Sequence, residues 1–281
     1  MFRKTVKLVC LLMLLVFSFV YTDKVFSTAR STDPVMVDVI NYKEKNDIKP
    51  IEPIINDDEL ILGASGIIIN AKKSYNNMKD IDKFDKEKIV YETKKPTNTI
   101  SNTYKYYIKK GNSTKKQVSI IFKIDKNTNN LNNLLKYLAK YDVSCNFFVD
   151  GLWLSNNVNE AFDIVNYNHE LYNLGYDGIY DKKMTSVTNN LIESISLKDS
   201  NFCLNDDKNN ESKNICDKKK MHSILSTVID PDITTLKENL TKGAIITYNV
   251  DYFDVSKLGL IVNAITSRGY EIKVLSSLIK E

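Results

Sequence analysis

Histidine is scarce in this 281-residue chain, which has two, His169 and His222, about fifty residues apart. A catalytic zinc site takes two or three imidazoles with a carboxylate, often as a His-x3-His pair on one helical turn, so an ordinary site of that kind cannot be assembled here. Each histidine reads instead as a hydrogen-bonded structural residue. No Gly-x-Ser-x-Gly stretch exists to carry a nucleophilic serine. Glycine is sparse too, at nine residues, and no helix with Lys-Ser/Thr follows Gly63 and Gly66, which excludes a phosphate-cradling loop. Net charge is nearly absent: the formal +4 includes a +3 contribution from residues 1–29, leaving about +1 for the remainder. Nucleic acid is therefore not an expected partner, and Lys218-Lys219-Lys220 reads as a solvated loop.

What is present begins with an export-type segment. Arg3, Lys4 and Lys7 precede an uncharged apolar run from Leu8 to Tyr21, after which Asp23 and Lys24 restore polarity. This is the charged-then-apolar order of a signal sequence, and the run is shorter than the ~20 residues of a comfortable membrane span. Ser27 and Ala29 offer small residues for cleavage, so residues 1–29 are expected to be a signal peptide or an N-terminal membrane anchor. Cys10 follows Val9, where lipidation would want a small residue. The expected location is extracytoplasmic, at the cell envelope or tethered to the membrane, with membrane contact only through this segment. In an oxidising compartment Cys203 and Cys216, flanking a polar loop, are free to pair or to stay as thiols. Cys145, inside an apolar run, reads as a core residue.

Residues 30–56 combine Pro34, Pro50 and Pro53 with many charges and no sustained period, the signature of a linker. Residues 57–112 hold short strand candidates, "LILGASGIIIN", "KIVYET" and "TYKYYIKKG", and read as a small β-rich subdomain. From Lys116 strands and helices alternate. "QVSIIFK" is an apolar strand, and "LNNLLKYLAKY" places Leu131, Leu134, Leu135 and Leu138 on one helical face. Further strand-then-helix units follow to the C-terminus, which implies parallel strands covered by helices, with chemistry expected at the C-terminal strand ends. Those ends carry Asp125, Asp150, Asp230 and Asp251, of which any two could form a carboxylate pair.

The segment "KQVSIIFKIDKNTNNLNNLLKYLAKYDVSCNFFVDGLWLSNN", then "IVNYNHELYNLGY" and the terminal "GAIITYNV…AITSRGYEIKVLSSLI", resembles the core of the NodB-type polysaccharide deacetylases over about residues 115–281. More weakly, residues 57–112 resemble the N-terminal segment of exported deacetylase-like proteins of Gram-positive bacteria. The resemblance implies an α/β fold, a distorted (β/α) barrel of the NodB type preceded by the small β-rich subdomain, that removes N-acetyl groups with a metal held by one Asp and two His. The family's two aspartates fall on Lys123 and Ile124, and its two histidines on Leu174 and Gly178. Its arginine motif falls near Cys203, and its late histidine on Asn249. All six positions are degenerate. A cation at Lys123 would itself oppose a divalent metal.

No catalytic residue, metal or cofactor is therefore expected, and the leading reading is a catalytically inactive, exported deacetylase-like protein of the cell wall or spore envelope. Its partner would be peptidoglycan or a related glycan, or a cell-wall protein. The residual groove is expected to comprise Asp125, Tyr172, Tyr176, Asp177, Tyr248 and Asp251, with Tyr252 nearby; the tyrosines would either stack on sugar rings or fill the space of the missing site. One alternative is an active peptidoglycan N-acetylglucosamine deacetylase whose zinc ligands have moved to Asp125, Asp177 and Asp251. Another is a structural, membrane-tethered protein-interaction domain.

Overall fold

The computed structural model describes residues 32–280 apart from 127 and 129, together with 12–14 and 16–18. The segment expected to be a signal peptide or anchor, residues 1–29, thus lies almost wholly outside the described residues; among these, no helix is long and apolar enough to cross a membrane. In chain order the first elements are α1 (Pro34–Asn46), β1 (Ile54–Asn56), β2 (Glu59–Ile61), β3 (Gly66–Ile69), α2 (Ala71–Met78), β4 (Tyr91–Lys94) and β5 (Tyr107–Lys110). Then come β6 (Gln117–Ile124), α3 (Leu131–Lys140), β7 (Asn146–Val149), α4 (Gly151–Asn156), α5 (Val158–Asn166), β8 (Glu170–Asn173), α6 (Lys182–Ser196) and β9 (Phe202–Leu204). The last are α7 (Asn210–Lys218), β10 (His222–Ile224), β11 (Val228–Ile229), α8 (Ile233–Asn239), β12 (Ile245–Asn249), α9 (Leu258–Thr266), β13 (Glu271–Ile272) and α10 (Leu275–Leu278).

These elements form two compact units, one from residues up to Pro50 with Gly66–Lys94, the other from Ile51–Ser65 with Lys95–Glu281. The smaller pairs β3 with β4 antiparallel and packs α1 and α2 around Val35, Val39, Ile69, Met78 and Ile89. The expected linker is thus helical over Pro34–Asn46. Proline at the first turn costs no hydrogen bond there, and the Asp33 carboxylate caps the Val35 amide at 2.8 Å. Its period escapes notice because Val35 and Val39 are the residues it buries. The expected β-rich subdomain is likewise divided: β3 and β4 join α1 and α2, whereas β1, β2 and β5 extend the large sheet.

That sheet has the order β1-β2-β5-β10-β9-β8-β7-β6-β12-β11, with β13 also on β6; from β2 to β11 every neighbouring pair is parallel. It curls into the expected distorted (β/α) barrel. Alternation along β6 shows the two faces: Val118, Ile120, Phe122 and Ile124 join the core beneath the helices, whereas Ile121 joins the barrel interior with Phe148, Tyr172, Leu204 and Ile245. The backbone after β5 meets the backbone before β12 where Gly111 N donates to Gly243 O at 2.8 Å. Gly243 has φ +76°, and a Cβ there would lie 2.6 Å from the Gly111 carbonyl oxygen, so glycine is required on both counts. The N-terminal end is plugged by α10, whose Leu275 and Leu278 enter the interior cluster. Asn146, fully buried, donates to Ser119 Oγ at 2.7 Å and accepts from Leu275 N at 2.7 Å, fastening the plug.

One further element differs from expectation, the open alternative for Cys203 and Cys216 is resolved, and Cys145 takes its expected place in the core. The polar loop between Cys203 and Cys216 contains helix α7, and the two cysteines are joined in a disulfide. Asn209 caps α7 through Glu211 N, and the helix, which buries Ser212 and Cys216, is anchored by the disulfide and by Lys213, paired with Asp58 at 3.2 Å and set over the Tyr107 ring. Cys145 is a free thiol, fully buried, with its pKa pushed up by burial.

Candidate functional site

The C-terminal ends of β6, β7, β8 and β9 border a cleft of about 560 Å³ lined by Lys123, Asp125, Asp150, Leu174 and Gly178 among others. Strand parity sorts the candidate residues. On β6, Lys123 and then Asp125 follow Ile121 on the interior face and open into the cleft, whereas Ile124 is 0% exposed and faces the helix-side core. On β12 the same rule sends Tyr248 into that core against Phe122 and Phe253 and leaves Asn249 on the interior face. Cys203, between Phe202 and Leu204, points outward to its disulfide and to Met221. Three of the six degenerate positions, Lys123, Leu174 and Gly178, are therefore brought together at the cleft, and Ile124 and Cys203 are not.

The expected groove needs similar correction. Tyr172 is buried in the barrel interior, and its hydroxyl donates to Glu170 Oε2 at 2.8 Å toward the opposite end of the strand. Tyr248 is buried as well, so neither ring is open to a sugar. Burial raises the pKa of both phenols. Tyr176 is half-buried and lies over Gly151, whose absent Cβ leaves the space. Asp177, in a left-handed turn at φ +51°, lines with Asp125 a side branch of the cleft, and Asp251 lines neither cavity. Tyr252, 84% exposed, remains as an open aromatic on the loop after β12.

Asp150 is committed to structure. Its Oδ1 accepts from Leu152 N at 2.8 Å, capping α4, and its Oδ2 accepts from Gly178 N at 2.9 Å. It thereby ties down the turn that occupies the place of the family's histidine pair. Asp230 accepts from Asn249 N at 2.9 Å and is structural in the same sense. The Tyr180 hydroxyl is shared between the Asn173 and Leu204 carbonyls at 2.9 and 2.8 Å, clamping the ends of β8 and β9, and burial raises its pKa.

Electrostatically the cleft centres on Lys123. Its ammonium lies 3.5 Å from Asp125 Oδ2, and its charge also acts on Asp206. Burial raises the Asp206 pKa; the Ser226 side chain and amide, the latter at 2.7 Å, and then Lys123 partly offset this. Asp206 and Asp207, which begin two residues past β9, and Asp181, the N-cap of α6, also line the cleft; the Asp-Asp pair just beyond the strand was the available signal for the first two. Lys123 thus acts as an internal counter-ion for the carboxylates around it.

A divalent metal does not fit these residues. Lys123 brings a positive charge, Ile124 faces the helix core, and Leu174 and Gly178 carry no donor. Among the described residues, no group of three His, Cys, Asp or Glu is placed to hold a metal ion. Asp125, Asp177 and Asp251 do not form one.

No family model matches the chain. It is 26% identical over 279 residues to the uncharacterized protein YlxY of Bacillus subtilis, covering 92% of this chain and 87% of that protein. Among solved structures it is similar to BA3943 of Bacillus anthracis, described as a family 4 carbohydrate esterase pseudoenzyme, with a TM-score of 0.67, 22% identity and coverage of 89% of this chain and 96% of that one. A mutant of BA3943 described as having restored enzymatic activity aligns with a TM-score of 0.68. The Bc1960 peptidoglycan N-acetylglucosamine deacetylase gives a TM-score of 0.55 at 15% identity, over 62% of this chain and 92% of that one. The chain is built on the fold of the family 4 carbohydrate esterases, the NodB-type polysaccharide deacetylases.

Proposed function

We propose that this protein is a catalytically silent member of the deacetylase fold, stationed outside the cytoplasm at the cell envelope, where its strand-end cleft binds glycan. The observation that carries the reading is Lys123. An ammonium ion-paired to Asp125 stands where the resemblance places the catalytic aspartate, so the cation-binding centre on which that chemistry depends is replaced by a side chain. Likeness to a pseudoenzyme of the same fold supports the loss of activity. The charged-then-apolar N-terminus and the Cys203–Cys216 disulfide support export, since disulfides persist in oxidising compartments. Similarity to a peptidoglycan deacetylase supports a glycan ligand, and Tyr252, exposed on the loop after β12 though not part of the cleft lining, is an open aromatic on which a sugar ring can stack.

The test combines three measurements on the full chain: calorimetric titration with zinc, acetate release from N-acetylglucosamine polymers, and co-sedimentation with purified peptidoglycan. The expected outcome is no stoichiometric zinc, no acetate and saturable co-sedimentation. One tightly held zinc per chain with acetate release would replace this reading by an active enzyme. Complete absence of co-sedimentation at micromolar protein would remove the glycan.

A further inference from the structure

The strand-end cleft is more acidic than its fold requires. Six carboxylates line it, those of Asp125, Asp150, Asp181, Asp206, Asp207 and Glu211, against the one ammonium of Lys123. Lys123 stands 3.5 Å from Asp125 and acts on Asp206 as well. Asp150 and Asp181 cap helices, and Asp206 accepts from Ser226 N, but hydrogen bonds from neutral amides leave the negative charge in place. The lysines that follow in the sequence turn elsewhere: Lys208 pairs with Glu59 at 2.5 Å and Lys213 with Asp58 at 3.2 Å. Neither Asp207 nor Glu211 is ion-paired among the described residues. A concave wall of one sign concentrates ions of the other, so this cleft draws cations.

The rest of the lining says which cation fits. Lys123 opposes a divalent metal, and no group of three ligands for one is assembled among the described residues. Apolar surface is mixed with the carboxylates: Leu174 and Leu204 line the cleft, and Ile179, beside them in the lining, is 65% exposed. A Cβ at Gly178 would meet nothing within 4 Å, so the space there is open, and Gly178 also lines the side branch of about 490 Å³. An amino sugar with a free amine answers both kinds of surface. Its ammonium donates three hydrogen bonds to carboxylates, and one face of its ring is apolar. An N-acetylated sugar has no charge to offer Asp207 and Glu211.

We propose that the cleft selects glycan whose amino sugars carry free amines, with the ammonium groups toward Asp206, Asp207 and Glu211 and a ring face on Ile179. This inference rests on the glycan reading given above and narrows it. Hydrolysis of an N-acetyl group is the class of reaction that frees such an amine, so a reaction of that class must come before binding.

The test is calorimetric titration of the full chain at about pH 6, where exposed carboxylates are ionised, with a glucosamine tetramer, an N-acetylglucosamine tetramer and tetralysine. The glucosamine tetramer should bind at least about tenfold more tightly than the other two, and added salt should shrink the advantage. Asp207→Asn and Glu211→Gln, both at exposed positions, should each reduce it about threefold and leave the N-acetylated tetramer unaffected. Equal affinity for the two tetramers would overturn the selection while leaving the glycan reading intact, and binding of neither would remove both. Tetralysine bound as tightly as the glucosamine tetramer would reveal a surface for basic peptides and overturn the proposal.

Discussion

Reduction of the Cys203–Cys216 bond, or the double change Cys203→Ser and Cys216→Ser, should destabilise the larger unit by about 3 kcal/mol. The figure follows from the loop: a sequence separation of 13 residues removes from the unfolded chain a closure entropy that corresponds to about 3 kcal/mol at room temperature. The bond also joins the outward face of β9 to α7, a helix that otherwise buries only Ser212 beside Cys216. Without the link α7 keeps its Lys213 contacts to Asp58 and the Tyr107 ring but loses its covalent tie to β9, and the loss should concentrate there. In a melt of a unit this size the change should lower Tm by about 6–12 °C. The assay is differential scanning calorimetry with and without a thiol reductant, paired with hydrogen exchange across residues 205–221. Equal melts in both conditions, with unreacted thiols titrated at both cysteines, would refute the linkage and remove one support for an oxidising compartment.

Further expectations follow from individual residues. Both histidines are buried with pKa values near 4, below an unfolded value near 6.5, so the unfolded chain binds more protons between these limits. Stability should be intact above pH 6.5 and fall by up to about 3 kcal/mol per histidine toward pH 4, read from urea midpoints; His222→Gln should flatten the slope. Gly243→Ala should cost about 2 kcal/mol or more, because it combines a positive φ with a clash at the Gly111 carbonyl, and a neutral effect on Tm would contradict the close backbone approach described above. Lys123→Asp should fold, since that side chain opens into the cleft, whereas Ile124→Asp should lose about 3 kcal/mol or more by burying a carboxylate under the helices; a stable, zinc-binding Ile124→Asp protein would mean that the register on β6 is different.

The alternation of strands and helices after Lys116 was legible because parallel strands are buried on both faces and read as continuous apolar runs, as in "QVSIIFK". That same property hid the site. A strand apolar on both faces does not display its parity, so nothing in "AIITYNV" tells that Tyr248 enters the helix-side core while Asn249 faces the interior. Likewise Tyr172 and Leu174 share a face but lie at different depths, and only one reaches the cleft. Helices α1 and α7 were illegible for another reason: their apolar faces are short, Val35 and Val39 with Tyr42 on one, Cys216 on the other, and α7 is held further by its disulfide and by Lys213. Lys123 was legible as a residue that does not belong in a metal centre, but its role as counter-ion to Asp125 and Asp206 needs the third dimension.

The plug at the N-terminal end of the barrel has a consequence for how the molecule is made. Leu275 N reaches Asn146 across 129 positions of sequence, and Leu278 closes against Gly111. A growing polypeptide therefore carries an unsealed interior until the segment around Leu275 and Leu278 has been made and can dock. A product that stops short of Leu275 would lack the plug and leave the barrel interior open, and apolar surface exposed in this way is what holding factors shield.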